Sequence, residues 1–92
     1  MEKIVVVFDV KGMFKPQYKQ IMKELDQSGE KAPDGRSNHF ASDSEWGMVV
    51  VDVWESKAKL ERFAGVLMPI LVKNGVNPPV PQIHPLHNQV DG

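Results

Sequence analysis

A single α+β domain in the order β-α-β-β-α-β is what this sequence predicts, on three observations. Two segments, Lys3–Val10 and Met48–Trp54, are dominated by β-branched and aromatic residues and have almost nothing helical about them. Each is followed by a segment whose apolar residues recur at helical spacing. Two weaker extended segments complete the count, and a chain of 92 residues has room for one domain only.

The first strand ends at the turn Lys11-Gly12. Pro16 suits a first helical turn, where its missing N–H costs nothing, and Tyr18, Ile21, Met22 and Leu25 follow on one face up to Ser28-Gly29. The polar stretch from Gly29 to Asn38 carries Ala-Pro-Asp-Gly turn chemistry and leads into a short, weak strand around Ser37–Ser42. Ser44-Glu45-Trp46-Gly47 makes a tight connection, so this strand and Met48–Trp54 form an antiparallel hairpin. Ser56 is an N-cap for a helix whose stripe is Leu60, Phe63, Ala64, Leu67 and Leu71. Pro69 interrupts that stripe and predicts a kink, or a second short helical piece ending near Asn74-Gly75. The last segment, Asn77–Asn88, has Pro78, Pro79, Pro81 and Pro85 around Val80, Ile83 and Leu86, a pattern only an edge strand tolerates. Residues 89–92 are expected to be a frayed tail.

This order is the split βαβ, ferredoxin-like arrangement: a four-stranded antiparallel sheet with two helices on one face. The other face is left bare. In Met48–Trp54, one side reads Val49, Val51, Val53 and the other Met48, Val50, Asp52, Trp54, so both are nearly apolar. Two helices cover only one side, and the expected cover for the other, taken to carry Val50, Asp52 and Trp54, is a second copy of the chain. The sequence therefore predicts a homodimer through the sheet face, with a cleft beside the sheet in each subunit.

Composition narrows the function classes. Lys+Arg 11 against Asp+Glu 12 gives a formal charge of −1 with no basic run, which argues against nucleic acid, since phosphates are neutralised by clustered Lys and Arg. The longest unbroken apolar run, Ile4–Phe8, is far short of the roughly 20 residues of a membrane span, and no signal-peptide pattern opens the chain, so a cytoplasmic setting away from membranes is expected. With no cysteine there is no disulfide, thiolate nucleophile or cysteine zinc site.

The segment Val49–Phe63, VVVDVWESKAKLERF, resembles the strand-to-helix junction of the dimeric α+β barrel proteins, especially the antibiotic-biosynthesis-monooxygenase-like group. Lys11-Gly12, His39, the run Leu67–Leu71, Gly75 and the closing Pro85-Leu86-His87-Asn88 extend the resemblance over nearly the whole chain. It implies the dimeric barrel fold. The superfamily includes cofactor-independent monooxygenases of phenols or quinols, haem-degrading enzymes and proteins that only bind ligands, so the fold leaves the function open. Neither helix here contains a histidine, which argues against the haem branch. The expectation is a protein without a bound cofactor that binds, and in the enzymatic reading oxidises, a small aromatic molecule. The alternative is a non-catalytic ligand-binding or assembly module whose sheet face is consumed by dimer packing.

Candidate site residues follow from the strands. Asp52 and Trp54 share a face, and a carboxylate there either becomes a general base or is tied into the dimer seam. His39 lies on the opposite face of its strand from Phe40; with Phe40 toward the helices, His39 turns to the cleft as a second proton-transfer candidate. Phe8 and Trp54 are candidate walls of an aromatic pocket, although a large aromatic at an interface serves equally as a packing anchor. His87 and Asn88 are candidates for the cleft mouth or for capping the partner subunit. His84 and His87, three apart in an extended tail, point to opposite faces, so no metal site is expected.

Overall fold

The structure is a computed structural model that describes residues 2–92. It has the predicted order, β1 (Ile4–Lys11), α1 (Lys15–Gln27), β2 (Arg36–Ser44), β3 (Gly47–Trp54), α2 (Lys57–Lys73) and β4 (Gln82–Pro85). The four strands form one antiparallel sheet in the order β2-β3-β1-β4, and both helices pack on the same face. This is the ferredoxin-like α+β arrangement. The proline-rich β4 sits at the edge, where it pairs through only Gln82–Pro85 with β1.

The register decides which side chains meet the helices. Ile4, Val6, Phe8 and Val10 of β1 stand opposite Trp54, Asp52, Val50 and Met48 of β3, and all eight are buried under α1 and α2. Ile21 and Leu25 of α1 and Leu60, Phe63 and Leu71 of α2 close this core from above. The other side of the sheet carries Val5, Val7 and Asp9 paired with Val53, Val51 and Val49, with Phe40 of β2 beside Val51.

This corrects the expected orientation. Asp52 and Trp54 lie on the helix side, not on the side free of helices: the Trp54 ring packs on Phe63 of α2 with centroids 5.3 Å apart. Phe40 is likewise on the open side, 60% exposed, and His39 faces the helices. The reason is size. Trp54, Phe8 and Met48 fill the thick gap between sheet and helices, whereas the valine-only side is flat. The polar pair Asp9 and Lys11, in phase with Val5 and Val7, marks the open side in the sequence.

No second helical piece forms at Pro69: α2 runs unbroken from Lys57 to Lys73 with the proline inside it. Pro69 and Gly65, whose carbonyl loses its intrahelical donor, are both on the exposed flank, where water takes the donor's place. The helix opens on the expected cap, with the Ser56 hydroxyl accepting the Lys59 N–H at 3.2 Å.

Past β4, Leu86 N–H donates to the Lys3 carbonyl and the Gln89 amide donates to Asn38 Oδ1 at 3.1 Å, so the tail passes from the β4 edge to the β2 edge. It crosses near Val53, which is only 6% exposed although it faces the open side. The β2–β3 hairpin turns tightly at Gly47, where an added Cβ would stand 2.2 Å from the Val10 carbonyl oxygen.

Candidate functional site

Asp52 is almost wholly buried at 2% exposure, so its charge needs partners, and the fold supplies two. His39 stands directly opposite it on β2, with Nδ1 2.6 Å from Asp52 Oδ1. Trp54, two residues along the same face of β3, donates Nε1–H to Asp52 Oδ2 at 3.2 Å. The far nitrogen of His39, Nε2, is 2.8 Å from the Tyr18 hydroxyl on α1, and the two rings are parallel within 1°. One chain of hydrogen bonds therefore runs from Trp54 through Asp52 and His39 to Tyr18.

Burial, the first cause, raises the Tyr18 pKa above the ordinary tyrosine value; the Asp52 charge adds to this and the Arg36 charge works against it. Tyr18 thus keeps its proton and donates it to His39 Nε2. With Tyr18 donating to Nε2, the tautomer that completes the chain has Nδ1–H donating to the carboxylate. In this tautomer the basic nitrogen of His39 faces Tyr18, away from Asp52.

These groups border a partly open cavity between the helices and the sheet. Phe8 and Val50 form its floor, Tyr18, Ile21 and Leu25 one wall, Phe63, Leu67 and Leu71 the other. Arg36, His39 and Asp52 join Tyr18 as its polar lining, while nearly all the rest is apolar. The free space open to the centres of water-sized molecules is about 50 Å³, room for a few waters. Met13, Met22 and Met68 also line it, and their unbranched, soft side chains let the walls adapt to a ring-sized guest.

Charged pairs hold the helices around this space. Glu24 of α1 accepts from Lys73 Nζ at 2.5 Å and from Asn74 at 2.7 Å, which joins the last turn of α1 to the end of α2. Asn74, foremost, and Lys73 pull the Glu24 pKa below its usual value. Both Glu30 oxygens accept from Arg62, and Asp34 pairs with Lys59, so the loop between α1 and β2 is fastened to α2.

Of the residues predicted for a site, His39 and Asp52 come together, and Phe8 joins them at the cavity. Trp54 is fully buried behind Asp52 and orients it instead of lining the space. His87 and Asn88 lie beyond β4, exposed and apart from the cavity walls; His84 pairs with Val5 and shares the open side of the sheet. Two cavity residues went unread in the sequence. Tyr18 was absorbed into the helix stripe, although a hydroxyl on an apolar face requires a partner. Arg36 had no signal beyond being the lone arginine next to the weak strand. Among the described residues no cluster of three or more His, Asp or Glu is placed to hold a metal ion, and no helix is long and apolar enough to cross a membrane.

The arrangement fits an antibiotic-biosynthesis-monooxygenase-like α+β barrel fold. The chain superposes over its whole length, and the whole of the other chain, on SnoaB, a cofactor-independent oxygenase from Streptomyces nogalater, with a TM-score of 0.67 at 10% identity. It is also similar to NE2512, a protein of unknown function from Nitrosomonas europaea (TM-score 0.56, 13% identity, 98% of this chain and 93% of that one). Atu4242 from Agrobacterium tumefaciens gives a TM-score of 0.56 at 14% identity over 97% of this chain and 94% of the other. At such identities the likeness establishes the shared fold. No protein-family model and no curated protein matches the sequence.

Proposed function

We propose that this protein binds a small phenol- or quinol-like molecule in the cavity between its helices and sheet, and oxidises it with molecular oxygen without a bound cofactor. The observation that carries the reading is the Asp52–His39–Tyr18 chain ending at an apolar cavity. A phenol reacts with oxygen far more readily as its anion, and an imidazole whose other nitrogen is held by a carboxylate is built to take a proton. When the substrate hydroxyl displaces the Tyr18 hydroxyl from Nε2, or passes its proton through it, His39 becomes the imidazolium and Asp52 stabilises it. The apolar walls keep water from competing.

The overall change balances for a phenol. One oxygen atom of O2 becomes the new ring carbonyl, and the other leaves as water with the phenolic and the ring hydrogen. Likeness of fold to SnoaB, a cofactor-independent oxygenase, supports the reading.

We further propose that the open side of the sheet is a homodimer interface. Phe40 is 60% exposed there beside half-buried Val7, Val49 and Val51, an apolar surface of the kind that associates. The cavity is on the opposite side of the sheet, so such packing leaves it free. A Phe40→Asp protein that sediments as half the mass of the parent supports this interface; unchanged sedimentation of a monomeric parent removes it.

Oxygen uptake tests the activity. With a panel of phenols and quinols the parent consumes oxygen, and His39→Ala and Asp52→Asn lose roughly 100- to 10,000-fold in rate. Equal rates in all three remove His39 and Asp52 from the mechanism, and binding with no uptake by any leaves the non-catalytic ligand-binding module as the function.

A further inference from the structure

The cavity contains one cation. Arg36, half-buried at the start of β2, lines the cavity together with Tyr18 and His39, and it also borders an open groove on the outside formed with Lys3, Gly35, Ser37 and Glu55. Its guanidinium therefore stands where the cavity meets solvent. Few of its donors are used: one nitrogen donates to the Lys31 carbonyl at 3.1 Å, and the charge lies 5.9 Å from the centre of the Phe63 ring. Among the described residues Arg36 enters no ion pair, whereas Arg62, Lys59, Lys73 and Lys15 each have a carboxylate partner. Glu55 shares the outer groove but is not within ion-pair distance.

An arginine at the doorway of an apolar cavity, placed over an aromatic ring and with a free side of its fork, suits a planar anion. Its charge also reaches inward, since it opposes the effect of burial on Tyr18. We propose that Arg36 is the specificity determinant of the cavity and selects aromatic ligands that carry a carboxylate, held at the mouth while the ring and its hydroxyl lie toward Tyr18 and His39. The inference rests on the cavity being the ligand site, as proposed above. Lys3 adds to the positive side of the entrance, and Glu55 sets its limit.

The test compares two probes that differ in one group, para-cresol and para-hydroxyphenylacetate, by isothermal titration calorimetry with the whole chain. The carboxylate probe binds the parent roughly 10- to 100-fold more tightly than the cresol, the range of one charge-assisted contact. In Arg36→Gln the ratio falls to near one, and in Arg36→Lys it is intermediate, because an ammonium keeps the charge but not the fork. Circular dichroism confirms that each variant is folded. A parent that binds both probes equally, or a preference that survives Arg36→Gln, overturns the assignment while leaving the cavity reading intact. Failure of both probes to bind overturns the assignment and the cavity reading together.

Discussion

His39 Nδ1 lies 2.6 Å from Asp52 Oδ1 across the β2–β3 ladder, so a base and its carboxylate, 13 residues apart in sequence, are made one unit by strand register. A slip of β2 by one residue would send His39 to the open face, leave Asp52 under the helices and dissolve the pair. The bulge between Arg36 and Asn38 lies just before this pairing and ends the regular ladder toward Arg36.

Tyr18 is the single tyrosine of the chain, so its ionisation is directly visible in the tyrosinate absorbance. Burial raises its pKa, and the midpoint is expected above the ordinary tyrosine range. The sign for stability follows. Below that range both states hold the proton; as pH rises through it, the unfolded chain loses its proton first and stability falls until the folded-state value is passed. Tyr18→Phe is expected to remove this alkaline loss, and a midpoint at or below the free value contradicts the burial of the hydroxyl.

Asp52→Ala strips partners from both His39 and Trp54 in a buried setting. A loss of about 3 kcal/mol in urea unfolding is expected, with a smaller loss for Asp52→Asn, which keeps the shape and one acceptor. Losses equal to those of a surface carboxylate, such as Asp26→Ala, would show the network to be energetically idle.

The arrangement of elements was legible because strands and helices alternate between two distinct periodicities, and capping at Ser56 and the tight turn before Gly47 punctuate them. Asp52 stood out as the one charged group in an apolar strand, whereas His39 was one polar residue among many in β2, and only the register brings the two together. Which side they face was not legible, because Val49-Val51-Val53 and Met48-Val50-Trp54 are almost equally apolar and period alone cannot rank them. Reading Asp9 and Lys11 against the β1–β3 register resolves it. Tyr18 and Arg36 were hidden for another reason: their role depends on contacts between α1, β2 and α2, which no local pattern encodes.

Glu24 makes the joint between the helices sensitive to acid. Its folded-state pKa is lowered, first by the Asn74 hydrogen bond and then by Lys73, so its contribution is present above the unfolded value and is lost as pH falls through the folded one. Glu24→Gln is expected to flatten the acid limb of the stability curve measured by denaturant unfolding. An unchanged limb removes this joint from the acid response.

Pro69→Ala restores the missing hydrogen bond in an exposed turn of α2 without touching the core. A gain of about 1 to 3 kcal/mol is expected, read as a higher denaturation midpoint. A loss would mean that the proline positions the Leu67–Leu71 turn in a way the alanine cannot.

The most direct test of the central claim follows the proton itself. Para-nitrophenol absorbs differently as phenol and as phenolate, and is titrated with the protein at a pH where the free dye is mostly protonated. The Asp52–His39–Tyr18 chain predicts that the dye bound to the parent shows the phenolate band and that the dye bound to His39→Ala does not. A dye bound as neutral phenol by the parent, or as phenolate by both proteins, contradicts it.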